Sequence, residues 1–193
     1  IAGISSFGAG GSNAHVIIEE YIPKERTPIN VTSQNPAIIV LSAKNEERLK
    51  EQAQQLLTAI QEQQFSDLDL ADATYTLQVG REAMEERLAV IALSIQELEE
   101  KLKNYLAGQD GIEDLYRGQL KRNKETLSVF AADEDMAKTI EAWIAKGKYS
   151  KLLDLWVKGL SFDWNQLYPG TKPQRISLPT YPFARERYWV PEL

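Results

Sequence analysis

A chain of 193 residues, 43% of them hydrophobic and including five Phe, eight Tyr and four Trp, can build one domain with appendages around a sizeable core. It contains no cysteine, which excludes disulfides, thiolate metal sites and Cys nucleophiles, and its formal net charge of −6 argues against a general nucleic-acid footprint. There is no run of about 18 apolar residues and no basic-then-apolar start, so neither a membrane span nor a signal peptide is expected.

In chain order, a glycine-rich stretch around Gly8, Gly10 and Gly11 precedes an apolar run, Ala14 to Ile18, that reads as a strand. Residues 22–36 carry three prolines, two threonines and two asparagines without apolar period, the composition of a linker. The β-branched run 37–41 predicts a buried strand. Asn45 then caps a helix in which Glu46 and Glu47 face the positive end and Leu49, Ala53, Leu56, Leu57 and Ile60 form one apolar face. Asp67 or Asp69 caps a second helix through Leu70, Ala73, Thr74 and Leu77, with Gly80 expected in the left-handed region as its stop. Residues 88–93 predict another buried strand. Ser94 and Glu97 make a capping box for a third helix, with Leu98, Leu102, Tyr105 and Leu106 on one face and Gly108 at its end.

Residues 113–120 and 126–132 predict two further strands, with Leu115, Tyr116, Leu127, Val129 and Phe130 buried. A helical hairpin follows. Its first helix, 133–146, aligns Met136, Ile140, Trp143 and Ile144; its second, 149–158, aligns Tyr149, Leu152, Leu153 and Trp156, with Gly147 and Gly159 as stops. The expected fold is therefore α/β: a small sheet packed by amphipathic helices, with an additional helical hairpin and extended terminal segments.

The motifs with chemical meaning mostly reduce to structural ones. The glycine loop is no phosphate cradle: Asn13 stands where a third Gly is needed, no P-loop Lys follows, and the next residues are an apolar run rather than a capped helix. His15 is the single histidine, so it completes no metal constellation and reads as structural. Adjacent pairs such as Glu46-Glu47, Glu85-Glu86 and Glu99-Glu100 read as solvated faces, and the basic run Lys121 to Lys124 as a solvated turn. No Gly-x-Ser-x-Gly elbow occurs, and neither a catalytic residue nor a metal ligand is assigned.

Gly3-Ile4-Ser5-Ser6-Phe7-Gly8-Ala9-Gly10-Gly11-Ser12-Asn13-Ala14-His15-Val16-Ile17-Ile18 resembles the closing loop and strand of a polyketide-synthase ketosynthase. Leu178-Pro179-Thr180-Tyr181-Pro182-Phe183-Ala184-Arg185-Glu186-Arg187-Tyr188-Trp189 resembles the linker that returns across that enzyme. Leu41-Ser42-Ala43-Lys44 and the segment from Leu70-Ala71-Asp72-Ala73 to Gly80-Arg81-Glu82 are similar to the linker after such ketosynthases. The resemblance implies a ketosynthase remnant over 1–21, a linker over 22–36, a flanking or acyltransferase docking subdomain over 37–170, and a return linker over 171–193. No inserted acyltransferase with its Gly-His-Ser-x-Gly motif is present between the two signatures, as in trans-acyltransferase synthases.

The same resemblance makes Phe7, Gly8, Ala9, Gly10, Gly11 and Asn13 the gating loop of the parent enzyme's acyl tunnel, with small Ala9 where fatty-acid condensing enzymes commonly carry a bulky Phe. The family's catalytic Cys and two His motifs precede this region, and His15 is neither of those histidines. Tyr181, Pro182, Phe183, Arg185, Arg187, Tyr188 and Trp189 are expected to dock on the ketosynthase body rather than on the chain's own domain. The implied role is non-catalytic scaffolding in the bacterial cytoplasm. The implied partners are the ketosynthase body of the same polypeptide, an acyl carrier protein and a free-standing acyltransferase, with no cofactor in the chain itself and phosphopantetheine on the carrier protein. Two alternatives stand beside it: a lateral-interaction element pairing Trp143 and Trp156 with a neighbouring synthase, and a piece meaningful only within the complete ketosynthase.

Overall fold

The computed structural model describes residues 1–22, 29–62, 65–120, 134–185 and 189. Two antiparallel sheets are built from β1 (Ala2–Phe7) and β2 (Asn13–Ile18), and from β3 (Ala37–Ala43), β4 (Glu86–Ala92) and β5 (Leu115–Gln119) in the order β3-β4-β5. Among the described residues the helices are α1 (Glu46–Glu62), α2 (Asp67–Val79), α3 (Ile95–Leu106), α4 (Glu134–Ala145) and α5 (Tyr149–Lys158), followed by a 3-10 turn, Trp164–Leu167. The predicted strand at 126–132 and the basic run 121–124 lie outside the described residues. No described helix is long and apolar enough to cross a membrane.

All seven residues of β3 are buried. Successive strand side chains point to opposite faces, so both faces of this strand are covered. Its register with β4 pairs Ile38 with Ile91 and Val40 with Ala89, while β4 continues to β5 through Ala89 and Tyr116. Helices α1 and α3 pack on β3 and β4, whereas α5 packs on β4 and β5. Leu49, Ala53, Leu56, Leu57 and Ile60 of α1 join Leu98, Leu102 and Tyr105 of α3 in one core, the face that the helical spacing predicts.

The helix ends show how local chemistry sets the boundaries. Asn45 Oδ1 accepts from the Arg48 amide at 2.9 Å, the expected cap of α1. At α2 the cap is Ser66 rather than Asp67 or Asp69, because Asp69 reaches back to the Ser66 amide and hydroxyl at 3.0 and 2.7 Å. Asp67 is instead directed to the start of α3, where it accepts from the Ile95 amide at 2.7 Å. Ser94 caps α3 through the Glu97 amide, yet the Glu97 carboxylate returns to the Leu93 amide, one residue earlier than a capping box requires.

Gly80 is not left-handed; its φ is −103°. What excludes a side chain there is proximity, since a Cβ would stand 2.6 Å from the Thr76 carbonyl oxygen. Gly108, Gly147 and Gly159 do have positive φ, at 75°, 63° and 123°, and end their helices as expected.

The second helix of the hairpin is a core element. Leu153, Trp156 and Val157 of α5 belong to the main core, while Leu152 joins Ile140 and Leu160 in a smaller cluster beneath α4. Contact between α5 and the sheet depends on Gly118, where a Cβ would meet the Val157 carbonyl oxygen at 2.5 Å and its carbon at 2.8 Å. Helix backbone cannot rotate aside like a side chain. Gly118→Ala is therefore expected to cost about 1–3 kcal/mol through overpacking, lowering the melting temperature by roughly 2–4 °C for each kcal/mol. A Gly118→Ala variant that melts with the wild type would show that α5 can move away from β5 freely.

Candidate functional site

The N-terminal hairpin carries the expected gating loop. Phe7 and Asn13 close the β1–β2 register, and the turn between them is tied by the Gly8 amide on the Ser12 carbonyl at 2.9 Å and the Gly11 amide on the Gly8 carbonyl at 3.1 Å. Gly11 has φ +84°, and a Cβ on Gly8 would lie 2.7 Å from the Ser12 oxygen, so two of the glycines answer the demands of the turn. A strand follows the loop, leaving no helix N-terminus for a phosphate. Two rungs below, Ser5 Oγ and His15 Nδ1 are 2.8 Å apart on paired residues, an exposed cross-strand bond that fits a structural histidine.

Every residue of β1 and β2 is exposed. One face presents Ala2, Ile4, Ala14, Val16 and Ile18, and Ile4 and Val16 are each 53% exposed. A two-stranded hairpin is marginal by itself, and an uncovered apolar face marks a surface made for another.

At the other end, residues 168–182 are seated against α2. The Gln174 amide donates to Asp72 Oδ1 and the Ile176 amide to Thr76 Oγ1, both at 2.9 Å. The Arg81 guanidinium donates to the carbonyls of Leu178 and Pro179 at 3.4 and 3.3 Å. Gln78 Oε1 accepts a hydrogen bond from the Tyr168 hydroxyl at 2.8 Å, and its Nε2 donates to the Ile38 carbonyl of edge strand β3 at 2.9 Å. Burial raises the Tyr168 pKa, although the bond to Gln78 opposes the shift. The phenol consequently remains a donor at neutral pH.

This seat corrects the expectation for Tyr181 and Pro182. The Tyr181 hydroxyl accepts from the Lys44 amide at 3.1 Å, Pro182 is buried, and Leu178 is in the core, so this part of the segment packs on the chain's own domain. The main chain of the segment finds its partners on α2, which is why it lies here. Phe183 stacks edge-on against Tyr181 at 4.9 Å but is 75% exposed; Arg185 and Trp189 are exposed as well. Arg187 and Tyr188 lie outside the described residues. Beside these rings a cleft of about 610 Å³ is lined by Lys44, Arg48, Glu82, Glu85, Tyr181 and Phe183.

Trp156 also needs correction as a lateral contact. It is 3% exposed, crossed by the Arg87 guanidinium 5.0 Å from its ring centre, and set edge-on to Trp164 at 5.8 Å. A ring enclosed on these sides cannot meet a neighbouring copy. Trp143 is half-buried and keeps part of its surface.

Arg87 was invisible as a functional residue in the sequence. Its guanidinium donates to the carbonyls of Met84, Trp156 and Leu160, joining the start of β4 to the C-terminal end of α5. Burial lowers its pKa, and a guanidinium still retains its charge. A second cleft, about 430 Å³, is lined by Glu46, Glu86, Tyr105, Arg117 and Lys158. Burial, reinforced by the Glu46 carboxylate, pushes the Tyr105 phenol up to about 12, so it stays protonated at neutral pH.

Residues 40–109 match the RhiE-like, KS-MAT linker domain. Across 193 aligned residues the chain is 62% identical to polyketide synthase PksL of Bacillus subtilis, covering 98% of this chain and 4% of that protein. Polyketide synthase ThaG of Burkholderia thailandensis is 41% identical over 208 residues, covering 99% of this chain and 3% of that protein. The ketosynthase from module 6 of the bacillaene synthase of Bacillus subtilis 168 superposes with a TM-score of 0.76 at 41% identity, covering 98% of this chain and 31% of that one. The chain is a ketosynthase terminus with the flanking linker subdomain of a polyketide synthase. It spans a small fraction of the curated relatives and under a third of the ketosynthase structure, so only this part of the assembly is seen.

The polar residues of α2 and Arg81 just beyond it explain one of the linker signatures. Asp72, Thr76, Gln78 and Arg81 all fall within the Leu70 to Glu82 segment, and all four bind the main chain or the tyrosine of the linker's returning end. Asp72, Thr76 and Gln78 are buried, which gave the clue available in the sequence: polar side chains interleaved with Leu70, Ala73 and Leu77 on a helix that is covered nearly all round.

Proposed function

We propose that this region is a non-catalytic positioning module of a trans-acyltransferase polyketide synthase, holding the ketosynthase edge in fixed relation to the carrier protein and to a free-standing acyltransferase. The observation that carries this reading is the β1–β2 hairpin: two strands paired with each other, wholly exposed, and apolar on one face, attached to a body that has its own core. The ketosynthase body is the cover such a face requires. Phe183 and Trp189, exposed beyond a segment anchored on α2, supply a second contact with that same body. Within it, Phe7 to Asn13 serve as the tunnel gate, with Ala9 leaving room for long or branched acyl chains.

Hydrogen exchange on the isolated chain and on the intact ketosynthase polypeptide tests the reading directly. Amides of Ala2–Ile18, of residues 183–185 and of Trp189 are expected to exchange at least about tenfold more slowly in the intact polypeptide, where their surfaces are covered. Equal rates in the two would refute docking of both elements. Titration of the intact polypeptide with the carrier protein and with the free acyltransferase, followed by chemical cross-linking, then asks whether either partner contacts residues 37–170. Intact-mass measurement after incubating the isolated chain with malonyl and acyl thioesters should show no site-specific acyl adduct; one mapped to a single residue would overturn the non-catalytic assignment.

A further inference from the structure

We propose that the outer edge of β3 carries a binding site for one structural water molecule, enclosed between α1, α2 and the turn that follows α2. The direction of the edge groups follows from the pairing. The Ile91 amide donates to the Asp114 carbonyl on the β5 side, so its partner on β3, Ile38, turns its main chain outward. Main-chain direction alternates along a strand, which makes Ile38, Val40 and Ser42 the outward residues of β3. Two of these rungs have protein partners. The Ile38 carbonyl accepts from Gln78 Nε2 at 2.9 Å, and at the last rung the Ser42 hydroxyl donates to the Glu82 carbonyl and accepts from the Met84 amide, both at 3.0 Å. Between them stands Val40, which lines a cavity of about 20 Å³ together with Gln52, Leu77, Arg81 and Trp164.

The polar groups around this cavity select its occupant. Gln52 is 7% exposed, and among the described residues its Oε1 meets no hydrogen-bond partner. The same holds for the buried Nε of Arg81, whose two terminal guanidinium nitrogens are engaged with main-chain carbonyls. Buried polar atoms are nearly always paired, and water serves where protein does not reach. The groups on offer are two donors, Arg81 Nε–H and the Val40 amide, and two acceptors, Gln52 Oε1 and the Val40 carbonyl. A water has two lone pairs and two hydrogens and matches them group for group. A cation would meet the Arg81 charge and two donor hydrogens, and a halide would meet two acceptors. A cavity holds a water once about 10–15 Å³ of it is open to a water-sized sphere, so this one has room for one.

Such a site accounts for a glutamine on the buried face of α1, where Leu49, Ala53 and Leu56 are its neighbours. Through the water, Gln52 joins α1 to Arg81 at the end of α2, and the edge of β3 is closed from Ile38 to Ser42 against a further strand. The site is independent of the positioning role proposed above, because all its groups lie within the body of this chain.

A high-resolution crystal structure of the chain should show one density peak roughly 2.7–3.2 Å from each of the four groups, the range of ordinary hydrogen bonds. In solution, the Val40 amide proton is expected to give a magnetisation-transfer cross-peak to water with the sign of a long-lived contact. Ser42→Ala should retain that cross-peak, since a relay through the Ser42 hydroxyl is then excluded. Gln52→Leu, which removes an acceptor and fills the space, should abolish it and lower the water-oxygen relaxation dispersion by one long-lived molecule. If Gln52→Leu does not fold, the density and the wild-type cross-peak decide by themselves. A cavity without density in which Gln52 Oε1 turns to a protein donor would overturn the proposal, as would a cross-peak that Ser42→Ala abolishes or Gln52→Leu leaves intact.

Discussion

Arg87→Ala is expected to be among the most damaging single changes in the chain, lowering stability by roughly 3–5 kcal/mol. The guanidinium satisfies the carbonyls of Met84, Trp156 and Leu160, and alanine would leave these acceptors without it beneath α5. Each buried polar group left unsatisfied costs about 1–3 kcal/mol, and bonds to a charged donor lie at the strong end of the range. Domains of this size have only about 5–15 kcal/mol in hand, so urea denaturation should show a much lower midpoint with little change in slope. Arg87→Lys should recover part of the loss, since an ammonium can reach one or two carbonyls but does not present a planar fork over the Trp156 ring. A midpoint for Arg87→Ala within about 0.5 kcal/mol of the wild type would mean that water replaces the guanidinium at low cost.

Trp156→Ala should be comparably severe, about 3–5 kcal/mol, because it empties a site bounded by Arg87, Trp164 and the sheet core. Trp143→Ala, at a half-buried position on α4, should cost less. The two variants also separate core from contact. If Trp143→Ala melts close to the wild type yet abolishes a self-association seen by sedimentation, the lateral-interaction alternative gains its evidence. A Trp156→Ala variant that folds normally and loses only association would contradict the burial of this ring. Because Arg87 and Trp156 touch, their effects should not add, and a double-mutant cycle is expected to return a coupling of about 0.5–2 kcal/mol.

Local patterning made much of the architecture legible. The apolar run 37–41 lies within β3, the five apolar positions at helical spacing in α1 are buried together, and Asn45, Ser94, Gly108, Gly147 and Gly159 mark helix ends as their chemistry suggests. Sequence pattern and structure diverge where two residue types compete for one task. Ser66, Asp67 and Asp69 can each cap a helix; Ser66 takes the cap because Asp69 reaches back to it, while Asp67 accepts from the Ile95 amide, a partner 28 positions away. Gly80 signalled a helix stop for the right residue and the wrong reason: crowding against Thr76, not handedness.

Periodicity, caps and composition by themselves settled the α/β class, the order of elements from β3 to β5, the helical hairpin, the apolar faces and the absence of thiol chemistry, since these depend on residues within a few turns of one another. The two terminal signatures were legible as well, by resemblance to a known family rather than by pattern. The tertiary structure alone decided the antiparallel order β3-β4-β5, the burial of Trp156, the roles of Arg87 and Gly118, and the seating of Leu178 to Pro182 on the chain's own domain. Those features rest on contacts between residues from 25 to 100 or more positions apart, such as Val90 with Leu115, Arg87 with Leu160 or Thr76 with Ile176. A buried carbonyl needs a donor wherever one can reach it, and only the folded chain determines which distant side chain that is.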